Sequence, residues 1–364
     1  MQNYYRNSIW LLAGIVLSAN LPTMLENIYA QTTINGAGAT FPFPLIDTWR
    51  VEYKNVKPDV NINYQSIGSG GGIKQFTEKT VDFGATDAPL NEEEENKVKG
   101  NAVHIPETIG SVAVAYNLPQ ISGSELKLSG PVIAEIFMGK ITKWDDPKIN
   151  ELNPDVELPA DSIITVHRSD GSGTTFVFTE YLSNVSSPWE TEIGTGKSIQ
   201  WPVGIGAPGN EGVSGSVKST PNSIGYIELA YALTTDLNFA SIQNKEGNFI
   251  KPSLESTSAA VASSATNLPN GTDSWQGVSI VNAGGADSYP IATLTYLLLY
   301  KDLSTNSSID QTKAKELINF ITWAITDGQQ FAPDLGYVPL PEEIIKLNQE
   351  TLKSITFNGN PITQ

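Results

Sequence analysis

Short apolar or alternating runs, bounded by glycine, proline and small polar residues, recur along this chain. Between them lie runs of helical periodicity. Val60-Asn61-Ile62-Asn63-Tyr64 alternates apolar and polar positions, the pattern of a half-buried strand. Val81 to Ala85, Val112 to Tyr116 and Ile163 to Val166 are compact apolar runs that also predict strands. Helices are predicted over Leu45 to Tyr53, Ile73 to Thr80, Val132 to Met138, Phe176 to Leu182, Thr293 to Tyr300 and Lys313 to Trp323. The stretch from Leu254 to Gly277, rich in Ser, Ala, Thr, Asn and Gly, predicts one helix plus loops. Alternation of this kind predicts an α/β architecture with helices covering mostly parallel sheets. Ligands of such sheets lie outside the carboxyl ends of the strands.

Three predicted strand-to-helix or loop-to-helix junctions share one build. Arg168-Ser169-Asp170-Gly171-Ser172-Gly173-Thr174-Thr175-Phe176 follows an apolar run and opens a helix-like one. A helix start leaves backbone N–H groups unpaired and carries about +0.5 of a charge. Gly171 and Gly173 let backbone approach a ligand closely, Ser172, Thr174 and Thr175 add hydroxyls, and Arg168 adds a planar fork that fits phosphate oxygens. Together these describe a socket for a small tetrahedral anion. Gly36 to Pro44 precedes the run from Leu45, with Pro42 and Pro44 suited to a first helical turn. Ile67-Gly68-Ser69-Gly70-Gly71-Gly72-Ile73 follows the alternating strand. Any one such turn is more often only a turn; their repetition, with an arginine in one, points to a ligand.

Charge and composition narrow the classes. At 364 residues the chain can hold two domains of ordinary size. Its net charge of −17 argues against nucleic acid as a partner. It does not argue against an anion in a local socket, because distant surface charge is screened over roughly 8–10 Å. Glu92-Glu93-Glu94-Glu95 reads as a solvated helix face. There is no cysteine, which excludes disulfides, thiol catalysis and a lipidated N-terminal cysteine. The two histidines, His104 and His167, share no ligand spacing, so a zinc site built on His and Cys is not expected; no other metal and no cofactor is expected either. His167 abuts Arg168 and reads equally as a residue at a cleft mouth or as a strand end without a ligand role. Trp144 and Trp201 read as packing residues. Arg6 followed by the apolar run Ile9 to Ala19 predicts an export leader over residues 1–30, cleaved after Ala30 or Ala19 or retained as an anchor. Sequons at Asn184, Asn270 and Asn306 are compatible with an exterior location.

The chain resembles the phosphate-binding proteins (PstS) of bacterial and archaeal phosphate ABC transporters. The blocks that carry the resemblance are Gly36 to Pro42 (GAGATFP), Ile67 to Gln75 (IGSGGGIKQ), Val81 to Leu90 (VDFGATDAPL) and Arg168 to Phe178 (RSDGSGTTFVF). Ile224-Gly225-Tyr226, Tyr289-Pro290-Ile291, Trp323-Ala324 and Leu335 to Pro341 follow in order. The resemblance implies a two-lobed periplasmic binding protein fold of type II, each lobe a mostly parallel sheet flanked by helices, with ligand in the cleft between. Lobe one would take residues 33–114 and 288–364 and lobe two residues 115–287, with chain crossings near Val112–Asn117 and Val281–Tyr289. It implies an extracytoplasmic, non-catalytic protein that captures inorganic phosphate for the permease subunits and ATPase of an ABC importer. Contact with the membrane would come only through the permease or an uncleaved anchor.

The resemblance also implies a ligand set: Thr40, Phe41, Ser69, Asp87, Arg168, Ser172, Gly173 and Thr174 on phosphate, with Asp170 holding the Arg168 fork. Asp87 is then the group that turns an anion site into a phosphate site. Phosphate carries a proton at neutral pH and sulfate does not, so a buried acceptor pairs with one and faces a lone pair of the other. Sites built on such a bond reject the analogue by roughly 10⁴–10⁵-fold. Two other readings stand beside this one. A phosphatase-like enzyme would share the socket but needs a nucleophile with a base, or metals, and neither a G-x-S-x-G elbow nor a G-x-x-x-x-G-K-[ST] loop occurs. A phosphate-binding surface protein without a transporter would share the whole site. Asp87 argues against molybdate, tungstate or sulfate, which are unprotonated at neutral pH.

Overall fold

A computed structural model describes residues 31–121, 123–264 and 268–362. The predicted leader lies outside the described residues. Nine strands form one curled mixed sheet: β1 (Thr32–Gly38), β2 (Val60–Ser66), β3 (Phe83–Thr86), β4 (Ala102–Asn117), β5 (Ile164–Arg168), β6 (Ile205–Ala207), β7 (Ser223–Glu228), β8 (Asn238–Phe239) and β9 (Ala292–Tyr300). Their spatial order is β2-β1-β3-β9-β4-β7-β5-β6, with β8 on β4. Pairing is parallel on both flanks, β1 with β2 and β3, and β5 with β6 and β7. The central strands β9 and β4 run antiparallel to their neighbours.

Strand β4 belongs to both halves of the sheet. Ala102 to Ser111 pair with β9, and Val112 to Asn117 pair with β7. All of its residues except the two ends are buried. The expected strand Val112 to Tyr116 is thus the second half of a strand three times longer than the apolar run suggested.

Thr293 to Tyr300, expected as a helix, is instead β9, and all nine of its residues are buried. A strand covered on both faces reads as a continuous apolar run, which periodicity does not separate from a buried helix. The two threonines and the tyrosine of Thr293-Leu294-Thr295-Tyr296 were the signal for strand. The other expected helices form within a few residues of their predicted bounds, as does the one at Leu254–Ser264.

Five helices bear on the site: α1 (Phe43–Val56), α2 (Ser69–Thr77), α3 (Glu92–Lys97), α4 (Gly173–Val185) and α5 (Gly209–Ser219). The four-glutamate run forms α3, closed by an Asn91–Glu94 capping box and without a buried residue. Trp144 is buried, and Trp201 stacks on the His167 ring at 4.8 Å, so both tryptophans pack as expected. The Asn306 sequon is buried, its amide bonded to the Val81 carbonyl at 2.8 Å, which leaves it no exposed acceptor nitrogen.

Candidate functional site

The three junctions found in the sequence are three helix N-termini at carboxyl ends of strands, and they meet. Helix α1 starts after Pro42 and α2 after Gly68, neither with a side-chain cap. Helix α4 starts after Ser172, whose hydroxyl accepts the Thr175 N–H at 3.0 Å. That cap leaves the Gly173 and Thr174 N–H groups at the open end of the helix. Gly68 has φ +83, and a Cβ there would stand 2.2 Å from Asp170 Oδ2. Glycine is therefore required for α2 to approach the Arg168 turn. At Gly173 a Cβ would stand 2.6 Å from both Asp87 and Ser69 Oγ.

Arg168, at the end of β5, is buried. Its Nε donates to Asp170 Oδ1 at 2.8 Å, and its second terminal nitrogen donates to Asp170 Oδ2. Burial opposes the arginine charge, but the bond and charge of Asp170 outweigh it and raise the guanidinium above its ordinary range. For Asp170 burial likewise opposes the charge, and Arg168 wins, holding the carboxyl below its usual range. Asp170 Oδ1 also takes the Gly209 N–H at 3.0 Å, which ties α5 to the same turn. Tyr226, in β7, receives the Arg168 N–H at 3.1 Å, shares a 2.6 Å bond with Thr175 Oγ1 and stacks on Phe178 at 4.3 Å. The guanidinium keeps one nitrogen for the cleft, 3.4 Å from Thr174 Oγ1.

Asp87 follows β3 and is buried. Its Oδ2 accepts from Ser69 Oγ at 3.5 Å and Thr174 Oγ1 at 3.4 Å; its Oδ1 accepts from Thr295 Oγ1 at 3.2 Å. Burial pushes its carboxyl up to about 7, against the pull of Arg168 and of the Thr295, Thr174 and Ser69 hydroxyls. Two further buried carboxyls lie near, Glu107 in β4 and Glu228 in β7. Burial holds both well above the usual range, and the Asp87 charge adds to this.

Thr40 and Phe41 lie in the turn before α1, both buried. The Thr40 carbonyl accepts from Tyr231 Oη at 2.6 Å, and the Phe41 carbonyl from Tyr337 Oη at 2.6 Å. The structure therefore brings Thr40, Ser69, Asp87, Arg168, Gly173 and Thr174 together, with Ser172 capping α4 and Asp170 beside the arginine.

Sequence reasoning missed Asn210. It is buried at the start of α5, and its Nδ2 donates to Thr40 Oγ1 at 2.8 Å and to Thr174 Oγ1 at 3.3 Å. Its Oδ1 accepts the Glu228 N–H at 2.9 Å. The signal available was Pro208-Gly209-Asn210, a fourth glycine-containing turn opening a helix. His167, in contrast, faces Trp201 and its own strand, with Nδ1 3.1 Å from the Arg168 carbonyl.

Chemically, this cluster offers one buried guanidinium, open helix N-termini, several hydroxyls and one acceptor carboxylate. It suits an oxyanion that carries a proton. Among the described residues no group of three or more carboxylates and histidines is placed to hold a metal ion.

The profile of the PBP superfamily domain matches residues 28–327. The phosphate-binding protein PstS of Pasteurella multocida is 44% identical over 340 residues, covering 92% of this chain and 95% of that protein. PstS of Methanocaldococcus jannaschii is 38% identical over 359 residues, covering 94% and 92%. Among solved structures, the ancestral soluble variant of the human phosphate binding protein shares the fold at a TM-score of 0.68. Its identity is 19%, and the match covers 91% of this chain and 96% of that one.

Proposed function

The chain belongs to the PstS phosphate-binding family of the PBP superfamily, and from that premise we propose that it captures inorganic phosphate outside the cytoplasm and hands it to an ABC importer. One observation carries the reading: Arg168 and Asp87, a buried cation and a buried acceptor, face a common point beside Ser69, Gly173 and Thr174. The cation and helix N-termini attract the anion, and Asp87 accepts the proton that phosphate retains. Thr40, Phe41, Ser69, Ser172, Gly173 and Thr174 supply hydroxyl and N–H donors.

The donors come from two lobes in this reading, residues 33–114 with 288–364 and residues 115–287. Strand β4 is the first crossing, and the segment around Gly271 and Trp275 reaches back onto lobe one, where Gly271 accepts the His104 N–H and Trp275 packs on Tyr296. Phosphate bridges the lobes and favours the closed state. The protein is exported by its N-terminal segment, docks on permease subunits served by an ATPase, and catalyses nothing.

Isothermal titration with phosphate, arsenate, sulfate and molybdate tests this. Phosphate should bind, arsenate should follow to some degree because it shares charge, shape and protonation, and sulfate and molybdate should not. Sulfate binding as tight as phosphate would overturn the role of Asp87. Turnover of a chromogenic phosphomonoester would favour the enzyme instead.

A further inference from the structure

The pairing of β4 with β9 contains a bulge. Tyr296 faces Pro106 and Thr295 faces Thr108, so Glu107 is the additional residue on β4. A bulge re-aims the side chain it carries. Here it sets a fully buried carboxyl behind the ligand-facing one. Thr295 Oγ1 lies 3.2 Å from Asp87 Oδ1, 3.2 Å from Glu107 Oε1 and 3.4 Å from the Thr86 carbonyl.

A hydroxyl has one proton to give. Three acceptors around it cannot all be served, and two buried carboxylates sharing one hydroxyl would repel. The arrangement is satisfied when one carboxyl is itself an acid that donates to Thr295 Oγ1. Glu107 suits that role. Its Oε2 is buried without a hydrogen-bond partner, a heavy cost for a charged carboxylate and a smaller one for a neutral acid. Its charged neighbour is Asp87, not a cation. Asp87, by contrast, faces Arg168 and three hydroxyls.

We propose that Glu107 is a positioning residue for the anion-reading carboxylate: as a neutral acid it donates to Thr295 Oγ1, which commits the Thr295 proton to Asp87 Oδ1 and leaves Asp87 Oδ2 to accept the proton of phosphate. The inference rests on the reading of Asp87 given above. Oδ2 is the oxygen turned to Ser69 and Thr174, and Oδ1 the one turned to Thr295. Glu107 thus sets which oxygen is free and keeps Asp87 an acceptor. The other ionisable groups around the pair are Arg168 at the end of β5, Lys197 after α4, Glu228 in β7, Tyr64 in β2 and Tyr337. All remain in a residue-107 variant, so a displaced pH profile reports on residue 107.

Glu107→Gln keeps the shape and offers an amide N–H in place of the acid O–H. Phosphate affinity and the phosphate-to-sulfate ratio should stay within about threefold of the unsubstituted protein, since one neutral donor replaces another. The pH midpoint of that ratio should not move. Glu107→Val removes the donor and should weaken phosphate about tenfold, the equivalent of one ordinary hydrogen bond. Difference infrared spectra of the ligand-free proteins, unsubstituted minus Glu107→Gln, should show the carbonyl stretch of a protonated carboxyl at neutral pH. A carboxylate band in that difference, or a pH midpoint displaced by about one unit or more on removing a neighbouring charge, would overturn the proposal. The infrared measurement needs no ligand. If the unsubstituted protein bound no phosphate, the site reading would fail while the spectrum still judged the proton on Glu107. If Glu107→Val does not fold, Glu107→Gln and the spectrum carry the test.

Discussion

Asn210 is bonded twice to Thr40, its backbone N–H at 3.1 Å and its side-chain amide at 2.8 Å, both onto Oγ1, across 170 residues of chain. A hydroxyl has two acceptor sites and one proton. With both acceptor sites taken, the Thr40 proton is free to be donated outward. Asn210 thereby turns a two-way hydroxyl into a donor, which is what an anion site needs.

Asn210→Ala should therefore weaken phosphate binding by about tenfold, since it leaves Thr40 Oγ1 held by the backbone N–H alone and removes one bond to Thr174. It also strips the Glu228 N–H of its partner. Stability should fall by about 1–3 kcal/mol for that buried donor. Titration and thermal melting measure the two effects. Unchanged affinity would mean that Thr40 does not contact the ligand.

Arg168→Ala should cost about 2–5 kcal/mol of phosphate affinity, the range for removing one partner of a buried charged pair. Arg168→Lys should recover only part of this. Lysine cannot hold Asp170 with two nitrogens while presenting a third to the cleft, as the guanidinium does. Full affinity in either variant would place the anion elsewhere.

Much of the cluster that the structure brings together was legible because its chemistry is local. A strand end, a glycine turn and a helix start lie within a few residues, so Arg168 to Thr174 and Gly68 to Gly72 announce themselves. Asp87, Thr40 and Phe41 became readable only through resemblance, since an Asp before Ala-Pro is by itself a turn residue. Asn210, Glu107 and Thr295 were not legible. Each acts through a partner far along the chain: Asn210 through Thr40, and Glu107 through a β-bulge that exists only once β9 pairs with β4. The helix wrongly expected at Thr293 to Tyr300 hid that pairing, and Thr295 with it.

Asp87→Asn should erode the rejection of sulfate, because the amide N–H can face an unprotonated oxygen, while phosphate affinity changes less. Complete retention of the discrimination would sink the acceptor argument. The same variant has a signature in stability. Burial raises the Asp87 carboxyl from its ordinary 3.8 to about 7, so the folded protein holds this proton more tightly than the unfolded chain. The stability that the proton contributes is fully present below about pH 4 and is lost as pH rises through about 7. Ligand-free Asp87→Asn should lack that decline. Melting curves across this window read the difference.

Closure supplies the last test. Lys197 Nζ bonds Glu94 Oε2 at 2.5 Å and the Pro89 carbonyl at 3.3 Å, and the Gly70 N–H bonds the Gly171 carbonyl at 2.8 Å. Under the lobe assignment each of these joins lobe two to lobe one at the edge of the ligand cluster, through groups outside the proposed ligand set. Both partners of the ion pair are largely shielded, at 12% and 16% side-chain exposure, so screening weakens it less than a surface pair. Lys197→Met keeps the apolar stem and removes the charge. It should favour open forms, raising the phosphate dissociation constant about three- to tenfold through the closed-state population alone. Small-angle scattering should give the ligand-free variant a larger radius of gyration than the ligand-free unsubstituted protein, with saturating phosphate bringing the two together. Weaker binding with no change in dimensions would reject the latch and return Lys197 to a direct electrostatic role on the anion. Unchanged affinity and unchanged dimensions would reject the lobe boundary itself, because a bond inside one lobe has no cleft to close.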